Sequence, residues 1–170
     1  MGVLVVGLGM GALCVGQDGA VRGEGAATMA AELRVMVAVP EGGVWDDSRP
    51  IEVVLENVTG KPMELFQSWN SWGYSNVRLE WEAEGQRGTV KRVARAWSAN
   101  FPSTTTVPAG GAMVREVTMG DNWTGWPALK SGMKLTVRAM YESNQKGGKG
   151  WLGEAESEAV TMEVGGAAKP

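Results

Sequence analysis

The stretch from Val77 to Glu84 reads VRLEWEAE, and its alternation of apolar and charged residues decides the fold. Every second residue from Val77 to Ala83 is apolar, and each residue between them is an arginine or a glutamate. Successive side chains of a strand point to opposite faces of a sheet, so this segment predicts a strand with one buried and one solvated face. That pattern is typical of an antiparallel sheet.

The same period of two recurs along the chain between turns rich in Gly, Pro, Asn and Asp. It predicts about eight strands, and the turn residues mark their ends. The predicted strands are 33–39, 51–55, 63–69, 77–83, 89–97, 112–119, 133–141 and 160–164. We therefore expect an all-β fold, an immunoglobulin-like antiparallel β-sandwich with Trp81 in its core, and a small barrel or a jelly roll as the closest alternatives.

The first residues differ from this pattern. Val3–Val15 reads VLVVGLGMGALCV, an uncharged apolar run of thirteen residues that is too short to span a bilayer. Small residues then allow a cleavage before Gln17. We expect a signal-peptide-like leader over 1–16, a flexible glycine-rich linker over 17–31, a β-sandwich domain over 32–165 and a tail over 166–170.

Two other interpretations of the leader compete with this one. The run VVGLGMGA fits the dinucleotide fingerprint, but the glycine-rich residues after it lack the helical period that such a site requires. Cys14 is a candidate for lipidation, although Leu13 stands where lipoprotein signals carry a small residue. No Lys or Arg precedes the apolar run, which predicts an upstream start or an atypical signal.

Composition excludes several chemistries. The chain has no histidine, and Cys14 in the leader is its one cysteine. A Cys/His zinc site, a disulfide in the mature part and a cysteine nucleophile are therefore excluded. Most glutamates fall at solvent-facing strand positions, where nothing raises a carboxyl pKa for acid catalysis. We expect no enzyme activity, no cofactor and no metal, and the net charge of -3 argues against nucleic-acid binding.

Tryptophan is the unusual residue type, because it supplies eight of the twelve aromatic residues. Several lie in the turn-rich segments SWNSWGYSN and GDNWTGWP. Exposed rings there would stack on sugars or anchor a protein interface, whereas buried rings would plug the ends of the sandwich. The candidate ligand-binding residues are Trp69, Trp72, Tyr74, Trp123 and Trp126.

Charged and polar residues support less specific interpretations. Loop acids could join a calcium site, but their spacing favours turn capping. The strand arginines and lysines alternate with glutamates and predict a mixed, solvated sheet face. The residues concerned are Asp46, Asp47, Asp121 and Asn122 in loops, and Arg78, Lys91, Arg92, Arg95, Arg115 and Arg138 on strands. Asn57-Val-Thr59 and Asn122-Trp-Thr124 match the glycosylation pattern.

The order of these elements carries a resemblance. ENVTGKPMELF at 56–66, VPAGG at 107–111, GMKLTVRAMYES at 132–143 and ESEAVTMEV at 156–164 resemble bacterial immunoglobulin-like domains. More narrowly, they are similar to the bacterial intracellular proteinase inhibitor family, a β-sandwich. The leader and the inserted WNSWGYSN depart from that family, and no inhibitory residue is carried over.

These observations lead to one functional expectation with two alternatives. We expect a bacterial, non-enzymatic, secreted, periplasmic or cell-envelope module that serves protein interaction or assembly and has no membrane span. One alternative is a carbohydrate-binding module that uses the loop tryptophans. The other, which the resemblance implies, is a proteinase-inhibitor-like domain.

Overall fold

The computed structural model describes residues 32–98, 100–120, 122–146 and 148–166. The predicted leader and linker, and residues 167–170 of the predicted tail, lie outside the described residues. Within the described part, no helix is long and apolar enough to cross a membrane.

The described chain is built almost entirely from strands, with a single turn of 3-10 helix at Glu41–Gly43. The strands are β1 (Leu33–Val37), β2 (Val44–Trp45), β3 (Ile51–Asn57), β4 (Met63–Phe66), β5 (Val77–Ala83), β6 (Gln86–Arg92), β7 (Thr104–Val107), β8 (Ala112–Val117), β9 (Trp123–Thr124), β10 (Lys134–Ser143), β11 (Gly153–Glu156) and β12 (Val160–Val164).

Within the described residues, the strands form three sheets. The first has the order β1-β3-β8, the second has the order β2-β12-β10-β5-β6-β9, and β4 pairs with β7 in a third. β11 extends the second sheet by pairing with the end of β10. Every strand pairing in the described part of the chain is antiparallel except that of β2 with β12. The predicted all-β antiparallel sandwich is confirmed.

The core lies between the inward faces of the first two sheets. Val35 and Leu55 from the first sheet and Leu79 and Leu135 from the second are all buried in one apolar cluster. Their neighbours along each strand are more exposed, as the period of two predicts. Trp81, which we expected in the core, is half-buried and packs against this cluster from its edge.

All eight predicted strands have a counterpart, but the predicted strand over 89–97 is displaced. β6 begins at Gln86 and ends at Arg92, and residues 93–98 form no strand. The reason is the hairpin turn at Glu84 and Gly85, where both residues have positive φ, at 49° and 75°. Two consecutive positive φ angles allow a two-residue turn, so the second strand starts earlier than the sequence indicates.

Candidate functional site

One cleft in the described structure brings charged and aromatic side chains together. It lies where edge strand β8 of the first sheet approaches β6 and β9 of the second, beside the loop that joins β4 to β5. Its volume is about 360 Å³. We call it the arginine cleft, and its main lining residues are Ser68, Tyr74, Arg92, Arg115, Thr118 and Trp123.

Arg92 enters the cleft because of its position on β6. It shares the inward face with Val90, which is buried, and it stands opposite Trp123 of β9. Its guanidinium carbon lies 4.4 Å from the centre of the Trp123 ring and 5.1 Å from the centre of the Tyr74 ring. Arg92 is therefore held between two aromatic rings by cation–π contacts.

The stack continues away from the cleft. Tyr74 meets Trp97 edge to face, with ring centres 5.2 Å apart and an interplanar angle of 73°. The guanidinium carbon of Arg95 lies 5.0 Å from the centre of the Trp97 ring. Trp123, Arg92, Tyr74, Trp97 and Arg95 thus form an arginine–aromatic ladder that fixes the ends of three chain segments against one another.

Arg115 reaches the cleft from the first sheet. It shares the inward face of β8 with buried Val117, and one of its Nη atoms donates a hydrogen bond to the carbonyl of Phe66 at 2.7 Å. Burial lowers the pKa of Arg115, with a smaller lowering from the charge of Arg92 and an opposing effect from Tyr141. Arginine nonetheless stays charged in proteins, so Arg115 brings a second cation into the cleft.

The pKa of Arg92 is lowered for the same main reason. Burial lowers it, while the neighbouring Tyr74 phenol opposes the shift. The Nε atom of Arg92 is buried, and no described residue accepts a hydrogen bond from it. Two partly desolvated cations consequently face one small space, an arrangement that suits recognition of an anion.

The β4–β5 loop holds Tyr74 in place. Asn70 is buried, and its side-chain oxygen accepts hydrogen bonds from the backbone N–H groups of Trp72 and Gly73. Its Nδ2 donates to the carbonyl of Ser103 at 3.3 Å. A Cβ at Gly73 would collide with the carbonyl of Gln67, so the tight fold of this loop requires glycine there.

The structure separates the five predicted site residues. Tyr74 and Trp123 are buried and lie together on either side of Arg92. Trp72 stacks on Phe66 with ring centres 5.9 Å apart, and Trp126 stacks on Trp45 at 5.7 Å. Trp69 is the one of the five residues that is largely exposed, at 63%. The five residues therefore form no common binding platform.

Arg92 and Arg115 were predicted to lie on a mixed, solvated sheet face, and for these two residues that prediction is wrong. Both point inward, whereas Arg78 and Arg138 do lie on such a face and form ion pairs with Glu142, Glu154 and Glu156. The sequence did contain a signal for this orientation. Arg92 is two residues after Val90 and Arg115 is two residues before Val117, and strand residues two apart lie on the same face of the sheet.

A second, more open depression of about 540 Å³ lies on the outer face of β5, β6 and β10. Its two arginines already have partners, since Arg87 pairs with Glu82 at 3.1 Å and Arg138 with Glu156 at 3.4 Å. This depression therefore offers no unpaired cation comparable to those of the arginine cleft.

The loop acids do not assemble a metal site in the described part of the chain. No group of three or more described His, Cys, Asp or Glu residues could hold an ion. Asp46 instead accepts hydrogen bonds from the backbone and the hydroxyl of Ser48, which is an ordinary turn-capping arrangement. Asp121 lies outside the described residues.

Comparisons with protein-family models, with curated proteins and with solved structures find no match to this chain.

Proposed function

We propose that this chain is a non-enzymatic immunoglobulin-like module that acts outside the bacterial cytoplasm and binds a protein partner. The observation that carries the proposal is a pair of exposed aromatic rings on two adjoining loops. Trp69 is 63% exposed and Phe101 is 88% exposed. Burying such rings against a partner recovers free energy that is lost while they face water.

Hydrogen bonds join the two loops, so the segments that carry the two rings are held in place. Gln67 N–H donates to the carbonyl of Ser103 at 2.9 Å, and the hydroxyl of Ser71 donates to Oδ1 of Asn100 at 3.0 Å. A preorganised aromatic surface loses little conformational freedom on binding, and this property favours tight association. Trp, the residue type at position 69, is also enriched in binding hot spots.

The test starts from random-peptide display on the purified chain. Selected peptides should bind Trp69→Ala and Phe101→Ala at least about tenfold more weakly than the wild type, because each truncation removes a hot-spot ring. Leu152→Ala is the matched control, since Leu152 is also an exposed apolar residue. Melting temperatures of all three variants should stay near that of the wild type. Failure to enrich any peptide, or equal binding by all variants, would contradict the proposal.

The extracytoplasmic address is supported by the apolar run Val3–Val15. If the chain is expressed in a bacterium and fractionated, the mature form should appear in the periplasm or the medium with Gln17 as its first residue. N-terminal sequencing of the recovered protein measures this directly. A full-length chain retained in the cytoplasm would refute the extracytoplasmic localisation.

A carbohydrate-binding function is the second candidate, and the exposed ring of Trp69 is the observation that favours it. Flat aromatic rings stack on the apolar faces of sugars. A glycan array separates the two functions, because the carbohydrate alternative expects glycan retention that Trp69→Ala abolishes and Phe101→Ala leaves intact.

A proteinase-inhibitor-like function is the third candidate. Phe101 stands on a segment without regular strand structure, and the hydrogen bonds of Asn100 and Ser103 brace it on both sides. A panel of serine proteinases tests this alternative. Inhibition that Phe101→Ala removes would favour it over the other two.

A further inference from the structure

We propose that the arginine cleft is a binding site for a ligand with one carboxylate and an apolar body. This site is distinct from the exposed pair Trp69 and Phe101, and the inference does not depend on the protein-binding function. It rests on the charges, the fixed donors and the walls of the cleft.

The charge of the cleft favours an anionic ligand. The described residues form seven ion pairs, and none of them includes Arg92 or Arg115. Both guanidinium groups are partly buried, which makes an uncompensated charge unfavourable. A ligand anion would supply the compensation that the described part of the chain does not.

The guanidinium groups of both arginines are held in place before a ligand binds. Arg92 is clamped between Tyr74 and Trp123, and Arg115 is tethered to the carbonyl of Phe66. Donors that are already held in place lose little freedom when an anion binds.

The walls and the size of the cleft indicate the rest of the ligand. Buried Val77 and the ring of Trp123 line the space, so it can enclose an apolar group beside the two cations. A volume of about 360 Å³ is at the lower end of the range for small-molecule sites. The cleft therefore fits a small ligand or the end of a chain.

A carboxylate suits the cleft better than a phosphate. The forked donors of a guanidinium match the two oxygens of a carboxylate. Glu116 lies at the edge of the cleft and the whole chain carries a net charge of -3. Both would repel a phosphate dianion more strongly than a monoanion.

The experiment titrates the full chain with N-acetylphenylalanine, its neutral amide and inorganic phosphate. Binding is followed by calorimetry and by NMR of the arginine Nε–Hε groups. The acid should bind and shift the Arg92 signal, while the amide should bind at least about tenfold more weakly because it lacks the charge. Phosphate that binds more tightly than the acid would overturn the carboxylate assignment.

The variants Arg92→Gln and Arg115→Gln should each weaken binding of the acid about tenfold or more. Arg138→Gln is the matched control and should leave binding unchanged, since Arg138 pairs with Glu156 on the outer face. The NMR shift in the wild type keeps the proposal testable if a cleft variant does not fold. Equal binding by Arg92→Gln, Arg115→Gln and the wild type would overturn it.

Two further arms complete the test. Asp121 lies outside the described residues. The variant Asp121→Asn tests whether the Asp121 carboxylate itself pairs with the arginines of the cleft. Binding of the acid by Asp121→Asn but not by the wild type would overturn the proposal. A tetrapeptide that ends in phenylalanine distinguishes the sources of the carboxylate: binding as tight as that of the free acid supports a peptide C-terminus, and exclusion of the peptide supports a small organic acid.

Discussion

The indole of Trp81 lies across Gly88 on the neighbouring strand. The two residues are Cα partners in the pairing of β5 with β6, and a Cβ built on Gly88 would stand 2.5 Å from a carbon of the indole. Nε1 of Trp81 donates a hydrogen bond to the carbonyl of Gly125 at 2.7 Å, which fixes the ring in this position. Glycine in mid-strand thus makes room for a large aromatic ring.

Gly88→Ala should therefore lower the free energy of unfolding by about 1–3 kcal/mol, the usual cost of overpacking. The entropic benefit of replacing glycine, about 0.5–1 kcal/mol, offsets only part of that loss. Urea denaturation measures the change. Gly60→Ala is the control, because Gly60 has open space around it and an ordinary φ. Equal changes at both positions would mean that the Trp81 ring moves aside freely.

The architecture was predictable where one face of a strand is apolar and the other is charged. Val77–Ala83 is the clearest case, since its alternation matches the buried and exposed positions of β5 except at Arg78 and Trp81, which are both half-buried. Short strands such as β2 and β9, with two residues each, carry no such pattern and were missed. Their pairing depends on where distant parts of the chain meet, which local periodicity does not encode.

The candidate site was predictable only in part. Tyr74 and Trp123 were selected as unusual loop aromatics, but the residue that joins them is Arg92. Charge alone suggested a solvated position for Arg92, whereas its spacing from Val90 indicated the inward face. The approach of Arg115 from another sheet depends on tertiary packing, so the cleft itself could not be located from the sequence.

The buried face of β10 should carry much of the stability. Leu135 is fully buried opposite Met162, whereas Arg138 lies on the outer face. Leu135→Ala should reduce the free energy of unfolding by about 2–5 kcal/mol because it leaves a cavity. Arg138→Ala should reduce it by less than about 1 kcal/mol, since an exposed ion pair contributes little. Similar losses in urea denaturation of the two variants would contradict the observed strand register.

Asn57 ties three carbonyl groups together at the end of β3. Its Nδ2 lies 2.7–3.0 Å from the carbonyls of Lys61, Val107 and Pro108 and shares one of its two hydrogens between two of them, and its Oδ1 accepts from Thr59. Asn57→Ala should reduce the free energy of unfolding by about 2–4 kcal/mol because one buried and two partly buried carbonyls lose their partner.

The burial of Asn57 also predicts which of the two glycosylation patterns can carry a glycan. Asn57 is 0% exposed, whereas Asn122 of the second glycosylation pattern is exposed. In a glycosylating host, mass spectrometry should find any glycan on Asn122 and none on Asn57 of the folded protein. Asn122→Ala should also unfold at nearly the same urea concentration as the wild type, and a glycan on Asn57 would show that this turn is open.

Lowering the pH should weaken the pairing of β4 with β7 because it protonates the carboxylate of Glu64. Hydrogen bonds from the hydroxyls of Thr104 and Thr106 hold the pKa of Glu64 below its ordinary value. A carboxyl whose pKa is lower in the folded state than in the unfolded state stabilises the protein above the unfolded pKa. That contribution is lost as the pH falls through the folded pKa. The loss should therefore begin below about pH 4.3, the pKa of an unperturbed glutamate.

Urea midpoints measured between pH 6 and pH 3 test this expectation. Glu64→Gln should be less stable than the wild type at pH 6, and the difference between the two should shrink toward pH 3. Thr106→Val keeps the carboxyl but removes one of its donors, so its midpoint should show an intermediate dependence on pH. A constant difference between wild type and Glu64→Gln across this range would mean that the Thr104 and Thr106 hydroxyls do not stabilise the ionised carboxylate.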